Sequence, residues 1–295
     1  MTGAGPGPDE PSRVTRSLDR VPAPALTIGG VASTQLGAAL ATGLFPAVGI
    51  AGVVALRLTL AAAVLGVGWR RRLRRTLPGW GRRTWALAAL TGMFLVAHHL
   101  SYYEAISRLP LGSATTIEFA GPLTVALVTA RRWSHVGWAL LAAGGVVGAA
   151  GPGGHMNWPG ILCAVSAGAC WACYITVSAS LTRRVGDSSP LAPAMACGAL
   201  IGLPLGAVTA GTALLRPESL LRGLAVGLLS GVLAYTLQMD ALRRMPRRLF
   251  GILVSTEPAV SALVGLVILG QRLTMPEAGG ILAVVAASAG SVLTA

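Results

Sequence analysis

Lysine is absent from this 295-residue chain. All 23 basic residues are arginine, against ten acids, so guanidinium groups alone carry the basic side of a formal net charge of +13. Charge of either sign is scarce: 11% of residues are charged and 54% hydrophobic, with mean hydropathy +0.69. Soluble domains run near 25% charged, so the composition excludes an ordinary soluble fold and indicates a membrane protein. Cysteine is limited to Cys163, Cys170, Cys173 and Cys197, all within apolar runs. The CWAC motif is a lone C-x-x-C on an apolar segment, without the second ligand pair of a structural zinc site. It reads as packing, and neither a metal nor another cofactor is expected. No glycine-rich stretch has the strand-to-helix setting of a phosphate-binding loop.

Long apolar runs are what the chain has in abundance. A helix needs about 20 residues to cross a hydrocarbon core of roughly 30 Å. Ten such runs recur, at 24–45, 49–69, 84–107, 112–130, 134–151, 159–182, 191–212, 221–241, 249–269 and 274–294. The arginines alternate with them. With the N-terminus inside, eighteen fall on the inner side: Arg13, Arg16 and Arg20, seven in RRRLRRTLPGWGRR, Arg131 and Arg132, Arg183 and Arg184, and four in RRMPRR. Four fall outside: Arg108, Arg216, Arg222 and Arg272. Short cytoplasmic loops of membrane proteins carry this excess, so the clusters read as topology signals and nucleic acid is not an expected partner. Residues 1–22, rich in proline, glycine and charge, read as a disordered cytoplasmic tail and not as a signal peptide. The expected location is the plasma (bacterial inner) membrane, multi-pass, with both termini cytoplasmic.

An internal repeat divides the rest. YEAISRLPLGSATTIEFAGP matches MDALRRMPRRLFGILVSTEP, with Glu104, Ala105, Arg108, Pro110 and Pro122 corresponding to Asp240, Ala241, Arg244, Pro246 and Pro258 at a constant offset of 136. Spans three to five therefore correspond to spans eight to ten. A unit of five spans repeated in tandem must insert upside down the second time, so the expected fold is all-α and polytopic: ten transmembrane helices as two inverted five-helix repeats, 23–151 and 152–295. Inverted repeats place a substrate site near the midplane between the halves. Small residues at Gly223, Gly227 and Gly231, at Gly144 and Gly148, and at Gly202 and Gly206 mark helix contacts.

Polar residues inside the spans carry the chemistry, because a charge at the bilayer centre costs roughly 2.5–3.5 kcal/mol on insertion scales. Arg57 lies mid-span, and Glu118 and Glu257 approach the middle from opposite halves. Pro122 and Pro258 break the helical hydrogen-bond ladder, freeing the carbonyls of Glu118 and Val254. Carboxylates with freed carbonyls suit an ammonium group, and a buried arginine suits a carboxylate. Together they fit a zwitterion such as an amino acid. The competing reading is that Arg57 neutralises the glutamates and locks helix packing. His98 and His99, with Tyr102 and Tyr103, form a polar-aromatic cluster. One histidine faces the cavity, where a proton relay stands against a structural role. Trp171 and Tyr174, at i and i+3, cap substrate or fill a groove, and Gln35 binds substrate or joins helices. Glu104 and Asp240, near span ends, read as solvated interface residues.

The segments ASTQLGAALATGLFPAVGIAGVVALRLTLAA, TTIEFAGPLTVALVTARR, GACWACYITVSA and LFGILVSTEPAVSALVGLVILG resemble the EamA-type branch of the drug/metabolite transporter superfamily, and within it the threonine and homoserine exporters. The resemblance implies ten helices in two inverted halves and export of small metabolites through a central cavity. Glu118, Glu257, Gln35, Arg57, Trp171 and Tyr174 fall in the matching segments. Gln238 and Gln271 stand where many relatives have glutamate, which bears on proton coupling, and Asp240 is a substitute for the first. The expected activity is secondary export of a small amino acid or similar polar metabolite by alternating access, not an enzymatic one. Two alternatives remain: an amphipathic drug or pathway product as cargo on the same fold, and a polytopic membrane enzyme. The separated, deep carboxylates disfavour the enzyme.

Overall fold

A computed structural model describes residues 21–130, 134–150, 157–185 and 190–294, with the side chains of 126–130, 134, 135 and 247 left aside. The expected tail with Arg13, Arg16 and Arg20, the pair Arg131 and Arg132, and the junction at 151–152 lie outside the described residues. Among those described, every regular element is a helix. In chain order they are α1 (Ala23–Thr42), α2 (Phe45–Gly68), α3 (Arg70–Thr76), α4 (Arg82–Ile106), α5 (Leu111–Ala130), α6 (Ser134–Ala149), α7 (Trp158–Val185), α8 (Leu191–Ala210), α9 (Pro217–Arg244), α10 (Arg247–Val254), α11 (Glu257–Leu269) and α12 (Met275–Thr294).

Among the described residues, six stretches are long and apolar enough to cross a membrane: Phe45–Gly68, Trp158–Val185, Leu191–Leu215, Pro217–Arg244, Arg248–Leu269 and Met275–Thr294. The chain is a multi-pass membrane protein. α4 has the length but carries His98, His99, Tyr102, Tyr103 and Glu104 near its end.

Local chemistry sets where the helices begin and end. Glu277 accepts from both the backbone N–H of Thr274, at 2.7 Å, and its hydroxyl, at 2.8 Å, opening α12, the first of these being the glutamate half of a capping box. Asn157 Oδ1 accepts from Gly160 N–H at 3.0 Å, opening α7. α11 ends at Gly270 with φ +66°, and Gln271 N–H returns to the carbonyl of Gly265 at 3.0 Å, the left-handed ending that glycine allows. The Gln271 side chain then accepts from Leu111 N–H at 2.8 Å, so α5 is capped from across the bundle.

Two helices depart from regularity where the cavity lies. α9 widens into a π-turn at Leu228–Leu233. The ninth predicted span, expected continuous, is divided: α10 stops at Val254, the chain turns at Ser255 and Thr256, and α11 starts at Glu257 with Pro258 in its first turn. Proline lacks the N–H that an internal position needs, and a first turn does not need it. Pro122, by contrast, sits inside an uninterrupted α5.

Glycine sets the closeness of the helix pairs. A Cβ on Gly206 would come within 2.7 Å of Ala55, joining α8 to α2, and one on Gly223 within 2.8 Å of Leu56, joining α9 to α2. Gly227 and Gly231 face α2 as well, at Arg57 and Ala61. Gly148 meets Gly280 of α12, but Gly144, expected at a contact, faces open space. Gly145 takes its place, because its position one residue on turns it toward α12, where a Cβ would meet the Gly280 carbonyl at 2.8 Å. The pairings come in matched sets: α4 packs on α7 and α8, and α9 packs on α1 and α2. The ion pairs Glu104–Arg108 and Asp240–Arg244 occupy matching places in the repeated segment.

Candidate functional site

Between these helices lies a cavity of about 220 Å³. All eight polar and aromatic residues singled out as binding candidates line it: Gln35, Arg57, His98, Tyr102, Glu118, Trp171, Tyr174 and Glu257. They come from α1, α2, α4, α5, α7 and α11, so no single element makes the site. His99, Ser230, Tyr235 and Gln238 complete much of the polar wall, and Val254 lines it as well.

Arg57 is held by neutral acceptors. One terminal nitrogen donates to the Tyr103 hydroxyl at 2.9 Å and the other to the Ser230 carbonyl at 3.3 Å, with the guanidinium carbon 5.8 Å from the Tyr103 ring centre. The second bond exists because of the π-turn. Widening the helix shifts carbonyls out of the ordinary ladder; that of Leu229 accepts from Ser33, at 2.7 Å, besides the Ala234 N–H, and that of Ser230 accepts from Arg57. No ion pair joins Arg57 to Glu118, Glu257 or another acid among the described residues. The geometry therefore does not provide the arginine–glutamate lock of the competing reading.

The two glutamates differ in setting. Glu257, 8% exposed, accepts from the Gln35 side-chain amide at 3.0 Å. Glu118, 4% exposed, is in close contact with His98 Nε2. His98 also lies 5.7 Å from the Trp171 ring and stacks near-parallel to Tyr102 at 6.2 Å, while Phe119 meets Trp171 edge-on at 5.8 Å. One wall of the cavity is thus aromatic beside a histidine–carboxylate pair. His99, buried, turns its Nδ1 to the Leu95 carbonyl at 2.5 Å, its own helix one turn back, yet also lines the cavity. Only one histidine was expected to face it.

The prolines act unequally. Val254, whose carbonyl has Pro258 at the position that would donate to it, lines the cavity. The carbonyl of Glu118, freed by Pro122, lies against Gly168 of α7: a Cβ there would be 2.5 Å from that oxygen. It serves helix contact, as close glycine approach and weak Cα–H donation permit. Gln238 lines the cavity, whereas Gln271 is spent on capping α5. Asp240 pairs with Arg244 one turn on, and Glu104 pairs with Arg108.

Toward the end of the bundle where α5 begins, α5 and α11 run antiparallel in close contact. A Cβ on Gly112 would meet Ala262 at 2.7 Å, Thr115 and Ser261 share a hydrogen bond of 2.7 Å, and Ser113 reaches Glu277 at 3.4 Å. Sequence reading passed over Thr115, Ser261 and Ser230, since single hydroxyls in apolar helices are common and a π-turn has no residue signature. Tyr103 was noticed only as part of the aromatic cluster.

Residues 158–293 match the model of the EamA-like transporter family. The threonine/homoserine exporter RhtA of Escherichia coli strain K12 is 40% identical over 274 residues, covering 90% of this chain and 89% of that protein. The threonine/homoserine exporter RhtA of Salmonella typhimurium strain LT2 is 39% identical over 272 residues, with the same coverage. A solved crystal structure superposes with a TM-score of 0.61 at 22% identity, covering 92% of this chain and 98% of that one. That likeness concerns the fold alone.

Proposed function

The chain belongs to the EamA-like transporter family, and on that premise we propose that it is a secondary exporter of small amino acids of the threonine and homoserine kind. The observation that carries this reading is the charge arrangement in the cavity. Arg57 and Glu257 both face it, and each is held by neutral partners and not by the other. A buried charge without a counter-ion is costly. A zwitterion relieves both, its carboxylate taken by the arginine fork and its ammonium by Glu257. The relatives named as threonine/homoserine exporters support this cargo.

The working cycle is alternating access between two inverted five-helix halves, 23–151 and 152–295, making ten crossings with both termini cytoplasmic. Supporting it are the alternating arginines, the offset-136 repeat, the matched pairings α4 on α7 and α8 and α9 on α1 and α2, and the matched Glu104–Arg108 and Asp240–Arg244 ion pairs. The His98–Glu118 contact supports a role in proton coupling, because two titratable groups meet there at the cavity wall.

Purified protein in liposomes, assayed for threonine and homoserine flux and for a hydrophobic cation, tests the proposal. Saturable flux of either amino acid is expected; flux of no amino acid overturns it. The aromatic wall of Trp171, Phe119 and Tyr174 favours a second reading, an amphipathic cation as cargo. Flux of the cation alone would establish that one.

A further inference from the structure

We infer that Thr115 and Ser261 are positioning residues for Glu257, acting through Tyr102 and Gln35. The inference rests on the proposed role of Glu257 as the group that receives the ammonium of the cargo.

Among the described residues no cation pairs with the Glu257 carboxylate, so its orientation depends on the Gln35 amide, which donates to Oε1 at 3.0 Å. An amide is two-faced. Turned over, it would present its oxygen to the carboxylate, and acceptor would face acceptor. What keeps the nitrogen toward Glu257 is the group on the other side: Tyr102 donates its single hydroxyl proton to Gln35 Oε1 at 3.4 Å. Tyr102 can spend that proton on Gln35 only if its other hydroxyl contact, Thr115 Oγ1 at 2.7 Å, acts as donor toward it. Thr115 in turn has Ser261 Oγ at 2.7 Å to donate to it. The direction that reaches Glu257 runs from Ser261 to Thr115, from Thr115 to Tyr102, from Tyr102 to Gln35, and from Gln35 to the carboxylate; the opposite direction ends on the Leu111 carbonyl. Such chains polarise in one sense and strengthen cooperatively.

The competitor is the Leu111 carbonyl, 2.9 Å from the Thr115 hydroxyl and 3.1 Å from that of Ser261. If Ser261 is lost, Thr115 turns its proton to Leu111. Tyr102 then turns toward Thr115, and the Gln35 amide is free to flip. Burial matters most at the far end of the chain, where Thr115 and Ser261 are 1% and 0% exposed and, unlike Gln35 and Tyr102, do not line the cavity. The chain begins and ends on α11, where Glu257 and Ser261 lie one turn apart, and passes through α5, α4 and α1 between them. Four helices are thereby committed to the orientation of one carboxylate.

The test is threonine counterflow in liposomes for Thr115→Val, Ser261→Ala, Thr115→Ser and Glu257→Gln, with KM and maximal rate measured separately. Thr115→Val and Ser261→Ala are expected to raise KM about fivefold, the size of one lost hydrogen bond. Their maximal rate should stay within about twofold, and Thr115→Ser, which restores the hydroxyl, should return KM to the wild-type value. A merely structural role would lower thermal stability without moving KM. Should Thr115→Val fail to insert, Ser261→Ala decides, because it deletes one oxygen and leaves the helix contact. An unchanged KM in the positioning variants while Glu257→Gln weakens binding would overturn this inference and spare the reading of Glu257. An unchanged KM in Glu257→Gln would overturn both.

Discussion

The backbone carbonyl of Glu118 rests on Gly168, and Gly121 of the same helix rests on Gly168 as well, with room at none of these points for a methyl group. A Cβ on Gly168 would lie 2.5 Å from the Glu118 oxygen, and one on Gly121 2.0 Å from the Gly168 oxygen. The side chain of Glu118 therefore enters the cavity from a backbone clamped between α5 and α7. Overpacking a tight contact costs about 1–3 kcal/mol. Gly168→Ala is expected to lower the unfolding temperature in detergent by several degrees and to reduce transport through displaced Glu118. An unchanged melting curve would contradict the clamp.

Arg57 needs its fork, not only its charge. Lysine is a compact point charge and cannot donate to a carboxylate bidentately. Arg57→Lys should raise KM for threonine by more than about tenfold, the range expected when a charge-assisted bond of roughly 1.5–3 kcal/mol is lost. Tyr103→Phe, which keeps the ring and removes the acceptor 2.9 Å from the guanidinium, should raise it by a smaller factor. An amino alcohol, which has no carboxylate, should be indifferent to both changes. Equal losses for the amino acid and the amino alcohol would show that Arg57 serves packing.

The proposed role of the His98–Glu118 contact in proton coupling is separable from substrate binding by experiment. Glu118→Gln should preserve exchange of amino acid across the membrane while abolishing accumulation driven by a pH gradient. Measuring both modes in one liposome preparation checks this. If gradient-driven accumulation survives intact, coupling lies elsewhere.

Gln271 stabilises and does not transport. Its side chain accepts the Leu111 N–H at 2.8 Å and so caps α5. Gln271→Ala should cost about 1 kcal/mol, as lost caps do, with KM unchanged. Gln271→Glu should be tolerated, because a carboxylate accepts the same N–H. A change in KM in either variant would tie this end of the bundle directly to the cargo.

Much of this was written in the order of residues. The scarcity of charge dictated a membrane protein, because no soluble core would bury so many apolar runs. The eight binding candidates were found as the polar residues that lipid would not tolerate, and all of them meet at one cavity. The roles of those residues were not legible. Arg57 is held by a carbonyl within the π-turn of α9 and by a tyrosine from α4, neither of which has a local signature. Pro122 and Pro258 look equivalent in the repeat, yet one sits within a continuous helix and the other in the first turn after a break.

Sequence by itself determined what cannot be left in hydrocarbon: which runs are apolar, which charges are buried, and where arginine accumulates. Those follow from transfer free energies that belong to each residue wherever it stands. Tertiary structure alone decided which buried charges neutralise one another. Among the described residues, Glu118 meets His98, Glu257 an amide, and Arg57 a tyrosine hydroxyl and a carbonyl. Pairing depends on distances of a few ångströms between helices far apart in the chain, and that spacing is set by glycine contacts and helix breaks whose effect appears only on packing.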